Sequence, residues 1–352
     1  MGRGGSHFSS EELVKVLSHY DIGVIDQVKP LSGGNRRAPK MVFISEQGKF
    51  LLKRRPRGKD DLYRVSLAHS VQKHLAGKGF PVTSLVATRD ENSTILQLNN
   101  HIYELFRFVA GFRHDGSVEA TFDVGRQLAE FHRDLSDFSQ ELELVGVGFH
   151  DSSKVRRYLR TVSINGSVAG GSVSAARSGA DGGEQQVAKG LLTIYNESSI
   201  RVNRLGFDSW ERQVVHGDWH PGNMLFSEGK LVAVLDFDSI RVAPAATDLS
   251  NGMLQFSIIG GGSDASEWPD HFDEERLVRF LNGYREVGSV GGREVEALVD
   301  LMIEAMIAEA VLPVAATGCF GNHGGGDFLR MIERKARWLE ENRLRLTAAL
   351  GG

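Results

Sequence analysis

The hydrophobic pattern of this chain changes period near residue 106, and few folds accommodate both halves. Before that point apolar residues fall in short extended runs. Lys40–Ser45 and Lys49–Arg54 flank Glu46-Gln47-Gly48 as a β-hairpin, and Pro81–Thr88, Thr94–Leu98 and His101–Phe106 read as further strands. One segment, Asp60 to Lys78, has helical spacing through Leu62, Val65, Leu67, Val71 and Leu75, and Gly77 and Gly79 close it. A shorter helix is expected over residues 9–19, capped by Ser9 or Ser10 with Glu11 and Glu12 in its first turn. Beyond Phe106, Val109-Ala110-Gly111 reads as a hinge, and helices dominate at 117–135, 151–162, 186–203, 271–286, 293–312 and 325–348. Strand patterns survive there only around Val214–His216, Met224–Phe226 and Leu231–Asp236. The expected class is α+β: a small antiparallel β lobe over residues 1–108 and a larger, mainly helical lobe over 109–352.

Length and charge fit that division. At 352 residues the chain exceeds a typical single core. Its 41 basic residues nearly balance 45 acidic ones, which argues against a general nucleic-acid binder. A lone cysteine, Cys319, allows no internal disulfide and suits a reducing compartment. No apolar run reaches membrane-spanning length, and the start lacks the apolar stretch of a secretory signal, so a cytoplasmic protein without a membrane partner is expected. Residues 163–184, rich in Gly, Ser and Ala, read as a flexible insertion between helices.

The chemistry concentrates in Val-Val-His216-Gly217-Asp218-Trp219-His220-Pro221-Gly222-Asn223, followed after one apparent hairpin by Leu235-Asp236-Phe237-Asp238. An Asp, an Asn five residues on, and a further Asp beyond a short β excursion is the spacing of a phosphoryl-transfer core. One loop presents a carboxylate to an attacking hydroxyl and an amide oxygen to a cation; the next strand end adds a second carboxylate to the same cation. A carboxylate closing the buried-strand pattern Leu231-Val-Ala-Val-Leu235 is costly unless a cation faces it. A different chemistry stays open: on an extended chain His216, Asp218 and His220 share a face and could be half of a zinc or di-iron site.

The segment resembles the aminoglycoside phosphotransferase-like kinase family, which includes choline and homoserine kinases, spore-coat kinase relatives and the stress-response kinase group. The family signature is His-Gly-Asp-x-His-x-x-Asn followed by an Asp that opens an Asp-Phe or Asp-Trp pair, and this chain matches it at His216 to Asn223 and at Asp236-Phe237. The resemblance implies a two-lobed protein-kinase-like fold, with residues 1–108 as the nucleotide-binding lobe. It implies ATP and Mg2+ as cofactors, Asp218 as catalytic base, and Asn223 and Asp236 as metal residues. Asp238 becomes a weaker or outer metal contact, with a surface turn residue as the alternative; His216 and His220 become scaffolding of the loop, and Asp248 a structural brace. His132, in the first helix of the helical lobe, is expected to pack against the catalytic loop.

Other positions follow from the resemblance and their neighbours. Lys53 ends the strand Phe50-Leu51-Leu52, where a kinase lysine pairs the α- and β-phosphates; it stands in a basic cluster with Arg54, Arg55, Arg57 and Lys59, part of which is expected to be solvated. Ser32, Gly33 and Gly34 form the best phosphate-covering loop, because glycines let backbone N–H groups approach phosphate. Glu104 and Phe106 lie in the family's lobe-connecting strand, whose backbone meets the adenine edge. The chain also departs from the family. The helix after Lys53 should carry a Glu to orient it, yet residues 62–78 contain no acid; Ala68, His69 and Gln72 occupy the region, and Asp60 or Asp61 could substitute only from the helix start. Asp300 and Glu304, four residues apart, could bind a cationic substrate or edge a solvated helix, with Glu309 further along the same helix. The expected activity is transfer of the γ-phosphoryl group of ATP to a hydroxyl of a small-molecule metabolite. The alternatives are a protein Ser/Thr kinase of the stress-response type and a nucleotide-binding pseudokinase.

Overall fold

A computed structural model describes residues 7–31, 38–139, 148–165 and 182–351. Ser32, Gly33 and Gly34, and most of the 163–184 insertion, lie outside the described residues. The elements are, in order, α1 (Ser10–Leu17), β1 (Ile25–Pro30), β2 (Lys40–Ser45), β3 (Gly48–Arg54), α2 (Leu62–Gly77), β4 (Leu85–Val86), β5 (Leu96–Leu98), β6 (His101–Arg107), α3 (Val118–Asp134), α4 (Ser153–Asn165), α5 (Gly182–Arg204), β7 (Gln213–Val215), β8 (Met224–Ser227), β9 (Lys230–Val234), β10 (Arg241–Ala243), α6 (Ala245–Ser257), α7 (Glu274–Arg285), α8 (Gly292–Thr317) and α9 (Gly325–Gly351). They form two compact units.

The first unit takes the described residues up to His114, with Asp137–Ser139 and Asn223–Ile240. Its sheet is antiparallel in the order β1-β2-β3-β6-β4, with β5 also on β6. The register sets Lys53 of β3 directly opposite Glu104 of β6. Phe43, Phe50, Leu52, Tyr103 and Leu105 bury one face of this sheet together with Val16 of α1. Ser9 caps α1 through a capping box with Glu12, and Asp61 caps α2 through the N–H of Arg64. The β8–β9 hairpin turns on Glu228-Gly229, both at positive φ, the two-residue turn that matches strand twist. It joins this unit through bridges from Val82 to Val234 and from Phe112 to Phe226. Gly111 makes the second bridge possible, since a Cβ there would stand 2.8 Å from the Leu225 Cβ.

The second unit holds the remaining helices and the short β7–β10 ribbon. Helices α3 and α7 cross at glycines. A Cβ on Gly125 would lie 2.0 Å from the Phe280 carbonyl oxygen, and one on Gly283 would lie 2.0 Å from that of Phe122. Helix α8 is buried along almost its whole length and continues one turn beyond Pro313, past the end expected from its pattern, to stop at Gly318 in the left-handed conformation. Helix α6 was not apparent in the pattern at all. It is buried along most of its length, and the small and polar residues Ser250, Asn251, Gly252 and Ser257 interrupt its apolar ones, Leu249, Met253, Leu254 and Phe256. Among the described residues no helix is long and apolar enough to cross a membrane.

Candidate active site

Asp218 lies in the second unit, three residues beyond β7, on a loop held from both sides. Asp248, fully buried in α6, accepts the N–H of His216 on Oδ2 at 2.6 Å and that of Gly217 on Oδ1 at 2.8 Å. Arg241 of β10 donates from Nη1 to the Gly217 carbonyl at 3.2 Å. Gly217 has φ 77°, where a side chain would be strained. Burial pushes the Asp248 carboxyl up, but His132, Arg241 and His216 outweigh it and hold the group below the ordinary carboxylate range. His132 stands 3.4 Å from Asp248 Oδ2 by Nε2 and 2.9 Å from the Tyr284 hydroxyl by Nδ1, so it braces the brace, in keeping with the packing role expected for it.

The loop leaves the Asp218 side chain 36 % exposed. His220 Nε2 is 3.5 Å from Asp218 Oδ1, while its Nδ1 accepts the N–H of Gly222 at 2.9 Å. A neutral His220 therefore carries its proton on Nε2, facing the carboxylate. Gly222 is required beside it, because a Cβ would lie 2.6 Å from His220 Cε1. His216 does not share that setting. Its ring is enclosed by Phe131 and Trp219, at centroid distances of 5.9 and 5.5 Å, so the alternating face imagined for a His-x-Asp-x-His metal site is not formed. Among the described residues no three His, Cys, Asp or Glu side chains converge as a metal site.

Asn223 and Asp236 belong to the first unit and are brought together at the base of the β8–β9 hairpin. The Asn223 carbonyl accepts the N–H of Leu235 at 2.8 Å, the residue before Asp236. Asp236 adopts φ 58°, ψ 72°, a left-handed conformation that costs an ordinary residue energy and that Asp and Asn tolerate best. Its Oδ1 is buried with no hydrogen-bond partner among the described residues. Strained backbone and an unsatisfied carboxylate oxygen beside an Asn fit a hard cation with oxygen ligands.

The rest of the first unit's site is a charge network. Lys53 Nζ lies 3.7 Å from Glu104 Oε2. Glu104, only 1 % exposed, also meets Arg55 at 2.8 Å and His69 Nε2 at 2.7 Å on Oε1. Burial raises the Glu104 carboxyl, yet His69, Lys53 and Arg55 reverse this and bring it down to about 2. Arg55 reaches onward to Asp238 at 2.8 Å, and Lys59 lies 3.4 Å from the same carboxylate. The basic cluster divides as expected: Arg57 and Lys59 are exposed, while Arg54 and Arg55 are buried, Arg54 pairing with Glu12 at 2.7 Å. Asp238 thus pairs with two cations, Arg55 and Lys59. The missing helix acid is replaced neither by Asp60, which accepts the Gly58 N–H, nor by the cap Asp61. Phe106 is buried, paired with Leu51 on one side and Leu85 on the other.

The sequence over residues 27–298 matches one family pattern, described as a phosphotransferase enzyme family. The chain belongs to that family. It is a phosphotransferase, and its protein-kinase-like fold recurs in solved structures. An aminoglycoside phosphotransferase from Alicyclobacillus acidocaldarius is 17 % identical with TM-score 0.65, over 95 % of this chain and 93 % of that one. An amicoumacin kinase in complex with AMP-PNP, Ca2+ and amicoumacin is 14 % identical with TM-score 0.65, over 95 % and 94 %. A microcompartment-associated aminopropanol kinase is 12 % identical with TM-score 0.67, over 96 % and 99 %. Among curated proteins, none matches this phosphotransferase in sequence.

Three acids of α8 have surroundings that the sequence does not show. Asp300 and Glu304 are buried rather than edging a solvated helix: Asp300 pairs with Arg201 at 2.9 Å, and Glu304 Oε2 meets His150 at 2.6 Å while its Oε1 has no hydrogen-bond partner among the described residues. Glu309 differs. Burial and the Asp218 charge raise its carboxyl to about 7, against smaller opposing effects of His220, Gln255 and Arg241. Gln255 of α6 donates to Glu309 Oε2. The signal available in the sequence was an acid in a mostly apolar helix, which does not say what it faces.

Proposed function

We propose that this chain is an ATP- and magnesium-dependent kinase that transfers the γ-phosphoryl group to a hydroxyl of a small-molecule metabolite. The observation that carries this reading is the clamped loop: Asp248 fixes the two N–H groups before Asp218 and leaves that carboxylate accessible. Asp218 orients the acceptor hydroxyl and takes its proton as the oxygen bonds to the γ-phosphorus and the bond to the β-phosphate oxygen breaks, releasing ADP. The Nε2 proton of His220 holds the Asp218 carboxylate in one orientation. Asn223 and Asp236 are the residues that would hold magnesium, which when bound neutralises charge on the β- and γ-phosphates. The Lys53 ammonium balances the remaining phosphate charge, with backbone N–H groups of Ser32, Gly33 and Gly34. Catalysis is then positioning plus electrostatics. A nucleotide-binding pseudokinase would be favoured by a lysine with no acid beside it; here Glu104 lies 3.7 Å from Lys53, which supports the active-kinase reading.

The test is a thermal-shift titration with ATP, with and without magnesium, followed by an acceptor screen over amino alcohols and sugars. A magnesium-dependent rise in melting temperature is expected, and Asp218→Ala should keep that rise while losing turnover. A well-folded wild type that shows no shift, or an Asp218→Ala variant with undiminished turnover, would overturn the assignment.

A further inference from the structure

In the arrangement this chain resembles, the carboxylate that orients the phosphate-binding lysine rides on a helix. Helix α2 has no acid to offer. At the point where it faces the sheet it presents His69, buried, with Nδ1 2.9 Å from Thr94 Oγ1 and Nε2 2.7 Å from Glu104 Oε1. The carboxylate comes instead from β6, the strand next to that of Lys53, and from the residue directly opposite in register. The distance of 3.7 Å is that of an ion pair rather than a hydrogen bond, so the ammonium keeps its donors for a phosphate. Arg55, two residues after Lys53, spans Glu104 and Asp238, and Asp238 lies in the turn that Asp236 opens.

We propose that Glu104 is the positioning residue for Lys53 and that Arg55 straps this pair to the Asp236 turn through Asp238. The proposal rests on the kinase reading above. Two strands of one sheet carry the ammonium and its carboxylate, so a shift of α2 cannot separate them; the phosphate site is set by the sheet rather than gated by the helix. His69 fixes which way the carboxylate points. The strap has a second consequence: the lysine that meets the phosphates and the turn bearing the metal residue move as one body. Four cations, Lys40, Lys53, Arg55 and Lys59, against the carboxylates of Glu104, Asp236 and Asp238 leave a surplus of positive charge, which suits a polyphosphate.

The experiment measures binding of Mg·ATP, Mg·ADP and adenosine to the full chain by calorimetry. Lys53 acts on phosphates alone, so Glu104→Gln should weaken Mg·ATP and Mg·ADP by about tenfold or more, the value of a charge-assisted contact, and leave adenosine unchanged. Placing the acid on the helix, as His69→Glu combined with Glu104→Gln, should restore part of the loss. Because Glu104 is buried, a second variant guards against a folding failure. Asp238→Asn loosens the outer end of the strap and should raise severalfold the magnesium needed for half-maximal ATP binding. Phosphate affinity in Glu104→Gln equal to wild type, equal losses for adenosine and Mg·ATP, or an unaltered magnesium requirement in Asp238→Asn would each overturn the inference and leave the kinase reading standing. A folded wild type that does not bind Mg·ATP at all would overturn both.

Discussion

Asp248 Oδ1 accepts the backbone N–H of Gly217 at 2.8 Å, one residue before the exposed carboxylate of Asp218. With Oδ2 on His216 and Arg241 on the Gly217 carbonyl, the loop is fixed through its main chain, and the Asp218 side chain is spared that task. Asp248→Asn keeps the volume but turns an amide NH2 toward one of these N–H groups. It should cost about 1–3 kcal/mol of stability and lower turnover by about tenfold or more, with Mg·ATP affinity retained. Denaturant unfolding and steady-state kinetics check this. A variant as stable and active as wild type would show that the grip does not position the loop.

The sequence made the order of elements and the catalytic spacing readable because both are local. Glu46-Gln47-Gly48 between alternating runs, Ser9 with Glu12 three residues later, and Asp218 five residues before Asn223 each follow from neighbours along the chain. What stayed hidden depends on contacts between distant residues. Helix α6 stayed hidden because small and polar residues, Ser250, Asn251, Gly252 and Ser257, are buried in it beside the apolar ones. The β8–β9 hairpin lies in the middle of the helical half of the sequence, yet it joins the first unit through Phe112 and Val82, whose pairing no local pattern encodes. The carboxylate beside Lys53 belongs not to the next helix but to a strand neighbour 51 positions on, and only the register of β3 and β6 brings the two together. Arg55, the partner of Asp238, is more remote still along the chain.

Asp236 should trade stability for function. Its left-handed backbone and its buried Oδ1, without a hydrogen-bond partner among the described residues, both cost the unliganded protein free energy. Asn tolerates the same backbone and carries no charge. Asp236→Asn should therefore match or exceed wild type in melting temperature without ligand, while losing the magnesium-dependent ATP shift and about a hundredfold or more in turnover. A lower unliganded melting temperature together with a retained magnesium response would contradict the role given to this carboxylate.

The α3–α7 crossing should not tolerate a methyl group. A Cβ on Gly125 or Gly283 meets a backbone carbonyl at 2.0 Å, and backbone yields less than a flexible side chain. Gly125→Ala or Gly283→Ala should cost at least about 1–3 kcal/mol, and the double variant should fail to accumulate as folded protein. Melting temperatures of the two single variants check it. Gly229→Ala, where an added Cβ has nothing within 4 Å although φ is 74°, is the control that isolates backbone strain from packing.

Glu309 gives the protein a pH dependence opposite to that of an ion-paired carboxylate. Burial and the charge of Asp218 raise it to about 7 from an ordinary value of 4.5, so the folded state holds this proton more tightly than the unfolded chain does. Its contribution is fully present below the unfolded value and is lost as pH rises through 7. Glu309→Gln cannot ionise, and its amide oxygen still accepts from Gln255. The variant should gain on wild type as pH rises from about 5 to 8, by on the order of 1–3 kcal/mol, with little difference below the unfolded value. Asp218→Asn should shift the wild-type transition toward lower pH, since it removes the second cause of the raised value. Melting curves across this range decide the matter: parallel curves for wild type and Glu309→Gln would mean that the Glu309 carboxyl ionises as it does in an unfolded chain.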